Sequence, residues 1–235
     1  MQKNVVHDSA SALSLLLAGD PALYGIVRLS LMVSFAATVL AAVIALPLGA
    51  VLALTRFPGR AAVIVVLNAS MGLPPVVVGL VVYLLLSRSG PLGFLGILFT
   101  PQAMALAQAI LVMPIIAALT RQTIEDLWAE YRDELTAMDV SPAGRMATLL
   151  WDARFSLLTA LLAGFGRAAA EVGAVMIVGG NIDGFTRTMT TAVALETSKG
   201  NLPLAMGLGL VLVAIVLAIN AAAWGTRVWS ERQAG

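Results

Sequence analysis

Residues 155–181 read FSLLTALLAGFGRAAAEVGAVMIVGGN, and this stretch decides the fold. From Phe155 to Val178 it is long and apolar enough to cross a bilayer, which takes about 20 mostly apolar residues. It nevertheless carries Arg167 and Glu171 in its interior. Arg167 lies roughly 18 Å along the helix from Phe155, at about 1.5 Å per residue. An unpaired charge at such depth costs roughly 2.5–3.5 kcal/mol. Residues four apart share a helix face, so the two can pair. They must then face protein or a wet cavity. The pair reads either as a structural lock on helix packing or as a gate beside a translocation path. A direct substrate contact by Arg167 is the weaker reading, because Glu171 already neutralises it.

Working outward, four more segments qualify as spans: Tyr24–Thr55, Ala61–Leu86, Pro101–Thr120 and Leu202–Trp224. Composition agrees. Of 235 residues 60% are hydrophobic and 11% charged, against about 25% charged in soluble domains, and the mean hydropathy is +0.94. The expected fold is therefore an all-α polytopic membrane protein with about five transmembrane helices. There is no cysteine, which excludes disulfides and thiolate metal sites. The net charge of +1 argues against nucleic acid as a partner. The single histidine, His7, reads as a solvated residue. The apolar piece Ala10–Ala18 is too short to span and reads as a surface helix; a signal-peptide core is the alternative, weakened by an n-region holding only Lys3.

Orientation follows the cations. With five spans, Arg56, Arg60, Arg121, Arg132, Arg145, Arg154, Arg227 and Arg232 share one side, and Lys3, Arg28, Arg88, Arg187 and Lys199 the other. That bias puts the N-terminus outside and the C-terminus in the cytoplasm. The expected division is an extracytoplasmic segment 1–21, a membrane domain 22–225 with a cytoplasmic loop 121–154, and a cytoplasmic tail 226–235.

Loop 121–154 is the most charged part of the chain. Ile124, Leu127, Trp128, Tyr131, Leu135 and Met138 fall on one helical stripe among acidic residues, and the helix is expected to end at Val140. Ser141 then reads as an N-cap with Pro142 at the first helical position. A second short helix follows, with Ala143, Met146, Ala147 and Leu150 on one face. A bare connector needs only a few residues, so this hairpin reads as a docking surface for a cytoplasmic partner.

Two further features bear on a path. Met71-Gly72-Leu73-Pro74-Pro75 interrupts the second span. Prolines remove backbone donors, and such breaks survive at membrane depth only where protein or a wet cavity covers them. The restarting helix could offer the Val76, Val77 and Val78 amides to an anion, with Asn68 and Ser70 nearby; a plain packing kink is the alternative. After Gly179-Gly180-Asn181, the run through Thr186, Thr188, Thr190 and Thr191 is rich in hydroxyls that suit either an oxyanion or an ordinary turn-rich loop.

These motifs resemble the type I permeases of ABC importers. On the Ser141-Pro142 turn, Asp133-Glu134-Leu135 stand where that family has Glu-Ala-Ala, Asp139 stands where it has glycine, and Trp151-Asp152 where it has Leu-Pro. Arg167–Asn181 is similar to the sulfate, molybdate and tungstate permeases, and Met71–Leu80, Ser87–Leu92 and Ala194–Gly200 to the tungstate permeases most of all. The resemblance implies an importer subunit in a prokaryotic inner membrane, carrying an oxyanion, tungstate first and molybdate or sulfate next. It implies pairing with a second copy, two cytoplasmic ATPase subunits and an extracytoplasmic oxyanion-binding protein. It assigns ATPase coupling to Asp133, Glu134, Asp139, Ser141, Pro142, Ala143, Gly144, Arg145 and Met146. Ser70, Pro74, Pro75, Arg167, Glu171, Asn181 and Thr190 fall to the path or gate. No G-x-x-x-x-G-K-[ST] phosphate loop is present, so the chain is expected to be no enzyme, to bind no cofactor and to leave ATP to its partner. The competing class is an ion-gradient-driven secondary anion transporter, which would want several deep carboxylates where only Glu171 is found. A channel or scaffold fits the docking hairpin less well, and an intramembrane enzyme lacks any His, Cys or nucleophile–base pair in the spans.

Overall fold

The computed structural model describes residues 21–234, so His7 and the apolar piece Ala10–Ala18 lie outside the described residues. Helices α1 (Pro21–Leu54), α2 (Arg60–Ser70), α3 (Pro75–Leu86), α4 (Pro101–Ala137), α5 (Pro142–Asp152), α6 (Arg154–Ala169), α7 (Gly173–Gly179), α8 (Met189–Ser198) and α9 (Leu202–Ala234) follow in order, and no strand occurs among the described residues.

The packing of α1 on α4 sets the frame. Val33 shares a core with Ala103 and Met104, Ala37, Ala41 and Ala45 with Val112 and Ala117, and Ala50 with Ile124. Positions rise together, so the two long helices run parallel. Small residues every fourth position (Ala37, Ala41, Ala45, Gly49) let the backbones touch, as small-residue stripes do in membranes. A Cβ on Gly49 would stand 2.6 Å from the Ala117 carbonyl oxygen and 2.7 Å from Thr120 Cβ. Gly49→Leu is therefore expected to abolish the folded, monodisperse species seen by size exclusion in detergent.

Parallel neighbours require the chain between them to return across the bilayer. It does so through α2 and α3. Arg60 pairs with Glu125 toward the far end of α4, while Leu86 packs with Ala103 and Met104 at its start. The second span, expected to be interrupted at Met71–Pro75 or merely kinked there, is two helices bent by 102°. The amides of Met71, Gly72 and Leu73 turn back onto Asn68, Ala69 and Ser70 in three-residue steps, and Pro74 and Pro75 cannot extend the ladder.

The fourth span runs against α4. Leu157 shares a core with Ile124, Gly164 stands against Val112 and Ile116, and the Phe99 amide donates to the Val178 carbonyl at 2.9 Å. It is not the continuous helix Phe155–Val178 expected from hydropathy, because α6 stops at Ala169 and α7 restarts at Gly173. Among the described residues α1, α4 and α9 are each long and apolar enough to cross a membrane, and the bent pairs α2–α3 and α5–α6 bring the number of candidate crossings to as many as five. Helix α8 closes the end at which α4 begins, its Met189 amide donating to Ser30 Oγ at 2.7 Å. Helix α9 continues through Ala234, so most of the expected tail 226–235 is the end of that helix.

Helix α4 is also longer than expected. One helix of 37 residues covers both the third span and the first half of loop 121–154. It ends at Ala137 rather than Val140. The Asp139 amide donates to Thr136 and the Val140 amide to Leu135, which is the paired C-terminal bonding that a left-handed residue permits. Asp139 supplies that conformation at φ 50°.

Candidate functional site

Two features converge: a hairpin at one end of the bundle, and the level at which both broken spans are interrupted.

In the hairpin, Ser141 Oγ accepts from the Gly144 amide at 3.2 Å and Pro142 opens α5. Such a cap contributes about 1 kcal/mol. Gly144 is close-packed, since a Cβ there would come within 2.9 Å of Val140 Cγ1. The buried face of α5 centres on Leu149, with Met146 and Leu150 beside it, joining Ile124, Leu135 and Leu157. Ala143 and Ala147, expected on that face, are exposed. Helix α4's stripe is as expected except at Met138, which is 74% exposed, and Trp151 on α5 is 69% exposed. Asp133 and Glu134 stand exposed on the last turns of α4. Arg145 lies over the Trp128 ring at 5.6 Å. Glu125, read from sequence only as one of the loop's charges, clamps the hairpin's base by pairing with both Arg60 and Arg121, and Arg60 Nε reaches the Leu52 carbonyl at 2.7 Å.

The two breaks meet. A Cβ on Gly79 of α3 would stand 2.7 Å from Ala174 Cα of α7, and one on Gly173 would stand 2.9 Å from Val76 Cγ2. The expected pair is formed: Arg167 Nη1 donates to Glu171 Oε2 at 2.6 Å, with Glu171 3% and Arg167 32% exposed. Glu171 Oε1 accepts the Ala174 amide at 3.1 Å. The carboxylate thus covers a donor that the interrupted helix leaves free. Two neutral clamps hold the same break. Gln108 Nε2 donates to the Ala168 carbonyl at 2.9 Å, and Thr190 Oγ1 to the Glu171 carbonyl at 2.8 Å. Gln108 is an amide well inside an apolar span, and that signal marks it as a candidate in the sequence.

The geometry limits anion contact at other expected positions. The Val77 and Val78 amides are taken by the Pro74 carbonyl, and Ser70 Oγ by that of Val66 at 2.7 Å. Pro74 and Pro75 form the cap and first residue of α3. The threonines are spent internally: Thr186 links the Gly179 carbonyl to the Ile182 amide, and Thr188 and Thr191 cap α8 reciprocally. Gly-Gly-Asn has a packing origin. Gly179 abuts Met104, Gly180 is left-handed at φ 69°, and Asn181 follows at φ 49°. Beyond the spans, Lys199 and then Asn201 hydrogen-bond to Glu196 and hold its carboxyl below the usual range.

An all-helical bundle with two interrupted segments in contact and a capped loop hairpin has the architecture of a polytopic membrane permease. The chain belongs to the permease subunits of ABC transporters. It is 43% identical over 204 residues to the probable anion ABC transporter permease protein of Haloferax volcanii, covering 85% of this chain and 88% of that one. It is 41% identical over 211 residues to the tungstate uptake system permease protein TupB of Peptoclostridium acidaminophilum, covering 90% and 92%. The sulfate transport system permease protein CysW of Synechocystis is 32% identical over 197 residues, covering 77% and 71%. No protein-family model matches the chain.

Proposed function

We propose that this chain is the membrane subunit of an importer for a tetrahedral oxyanion, tungstate first, with molybdate or sulfate as the next candidates. The tungstate relative supports the cargo. The observation that carries the mechanism is the continuous line from hairpin to breaks: α5 turns by 73° straight into α6, and α6 ends on the Glu171 junction beside α3. On this reading Asp133, Glu134, Asp139 and Ser141–Met146 form the face on which a cytoplasmic ATPase docks, aided by exposed Met138 and Trp151. ATP is bound and hydrolysed there, not on this chain. A second copy completes the path along the exposed side of α3, two ATPases drive the pair, and an extracytoplasmic binding protein delivers the anion. The N-terminus lies outside and the C-terminus in the cytoplasm. Closure of the ATPases pushes α5, α6 tilts, and the junction at Arg167–Glu171 changes the packing of α7 on α3, where Ser70, Pro74, Pro75, Asn181 and Thr190 flank the route. Selectivity among tungstate, molybdate and sulfate falls to the binding protein.

The test is reconstitution with the ATPase and binding protein and uptake of labelled tungstate, molybdate and sulfate. Replacing Ser141 and Pro142 by glycine removes the cap and the fixed φ at N1. It is expected to lower uptake about fivefold or more while insertion is unchanged, the cap alone being worth about 1 kcal/mol. Concentrative uptake by this chain alone under an ion gradient would overturn the proposal in favour of a secondary transporter.

A further inference from the structure

A cavity of about 500 Å³ lies between the end of α1 and the first turn of α5. Leu54, Trp128 and Met146 give it apolar walls, Ala143 of the first turn of α5 closes one side, and Arg56 and Arg145 bring two guanidinium groups to it. No carboxylate lines it. Among the described residues neither arginine takes part in an ion pair, and Glu125 at the base of the hairpin is spent on Arg60 and Arg121. Arg145 Nε is buried and has no hydrogen-bond partner. Its guanidinium is held over Trp128, so it is positioned without being neutralised. Two arginines without an ion-pair partner beside an apolar wall, at the level where α1 ends, supply the chemistry that takes a phosphate or related oxyanion, which binds guanidinium groups bidentately. Basic pockets at the cytoplasmic ends of membrane helices commonly take lipid headgroups.

We infer that this pocket binds a phosphate-type oxyanion between Arg56 and Arg145, and that its occupant ties the coupling hairpin to the end of α1. The group can belong to an anionic phospholipid, whose chain the apolar wall would accept, or to free phosphate. The site is independent of the cargo: failed tungstate uptake leaves it standing, and its own failure leaves the permease reading intact.

The test uses the full chain in phosphatidylcholine nanodiscs, with either phosphatidylglycerol added to the lipid or inorganic phosphate added to the buffer, and reads the thermal unfolding midpoint. In the wild type the midpoint should rise with at least one of the two ligands. A rise with phosphatidylglycerol alone identifies the lipid as the source, and a rise with phosphate in neutral discs identifies the free anion. The R56Q/R145Q variant should need at least about tenfold more ligand for the same rise, and R56K/R145K should recover part of it. Arg132→Gln, which removes an exposed loop cation outside the cavity, should respond as wild type. If R56Q/R145Q does not fold, Arg56→Gln, at an exposed position, carries the comparison. Equal behaviour of the wild type and the glutamine variant, including no response in either, would overturn the inference, as would an equal loss in Arg132→Gln.

Discussion

Glu171→Ala is expected to abolish uptake and to cut sharply the yield of folded permease. The carboxylate is almost wholly buried and makes two side-chain contacts, to Arg167 and to the Ala174 amide. Removing it strands a guanidinium at membrane depth and a backbone donor at the start of α7. Breaking a buried pair from one side costs about 3–5 kcal/mol, a large part of a total stability of roughly 5–15 kcal/mol. The exchange of the two residues separates two roles. Arg167→Glu with Glu171→Arg restores opposite charges four apart, but arginine has no acceptor for the Ala174 amide. Folded yield by fluorescence-detected size exclusion should then recover in part, while uptake should stay near background. Full uptake in the exchanged protein would reduce the pair to a packing device. Glu171→Gln keeps an acceptor for Ala174 and should fall between the two.

The second large effect is expected at Gly79. Its virtual Cβ meets the Ala174 Cα at 2.7 Å, with Ala174's own carbonyl oxygen at 3.2 Å. These are backbone atoms that cannot swing aside. Overpacking typically costs about 1–3 kcal/mol, and here it separates the two half-helices whose contact defines the site. Gly79→Ala should lower the unfolding temperature measurably, and Gly79→Leu should eliminate the folded state or leave a protein that inserts without transporting. Gly166→Ala is the control, because nothing lies within 4 Å of a Cβ at that position. It should be neutral or slightly stabilising, since alanine is the better helix former. Equal thermal stability of Gly79→Leu and the wild type would show that α3 and α7 do not pack as described.

The candidate crossings were legible because a bilayer imposes length and apolarity on each, and the hairpin because serine and proline at Ser141-Pro142 act locally. The interruption of the fourth span was not. Residues 167–174 contain no proline, and their weak helix formers are only Val172 and Gly173. The break rests on tertiary partners, with Gln108 on one carbonyl, Thr190 on another and the Glu171 side chain on an amide. The hydroxyls of Thr186, Thr188 and Thr191 left two readings open in the sequence, oxyanion contact or an ordinary turn-rich loop. Composition shows that hydroxyls are present, and only the structure shows that they are already spent. Asp139 explains one departure from the family's loop. Glycine is the usual residue where the chain turns left-handed after a helix, and aspartate is among the few others that tolerate this conformation.

One consequence of the α5–α6 junction concerns amplification. A single residue, Ala153, ends one helix and opens the next, and it is buried. There is no slack at this corner. Helix α6 extends roughly 24 Å beyond it, at about 1.5 Å per residue. Pivoting α6 about Ala153 by about 5° would therefore swing its tip by roughly 2 Å, well beyond the few tenths of an ångström over which a hydrogen bond holds. A tilt of that size would be enough to unlatch Gln108 and Glu171 if α4 did not hold α6 along its length. Gly164, sunk against Val112 and Ile116, makes that contact close.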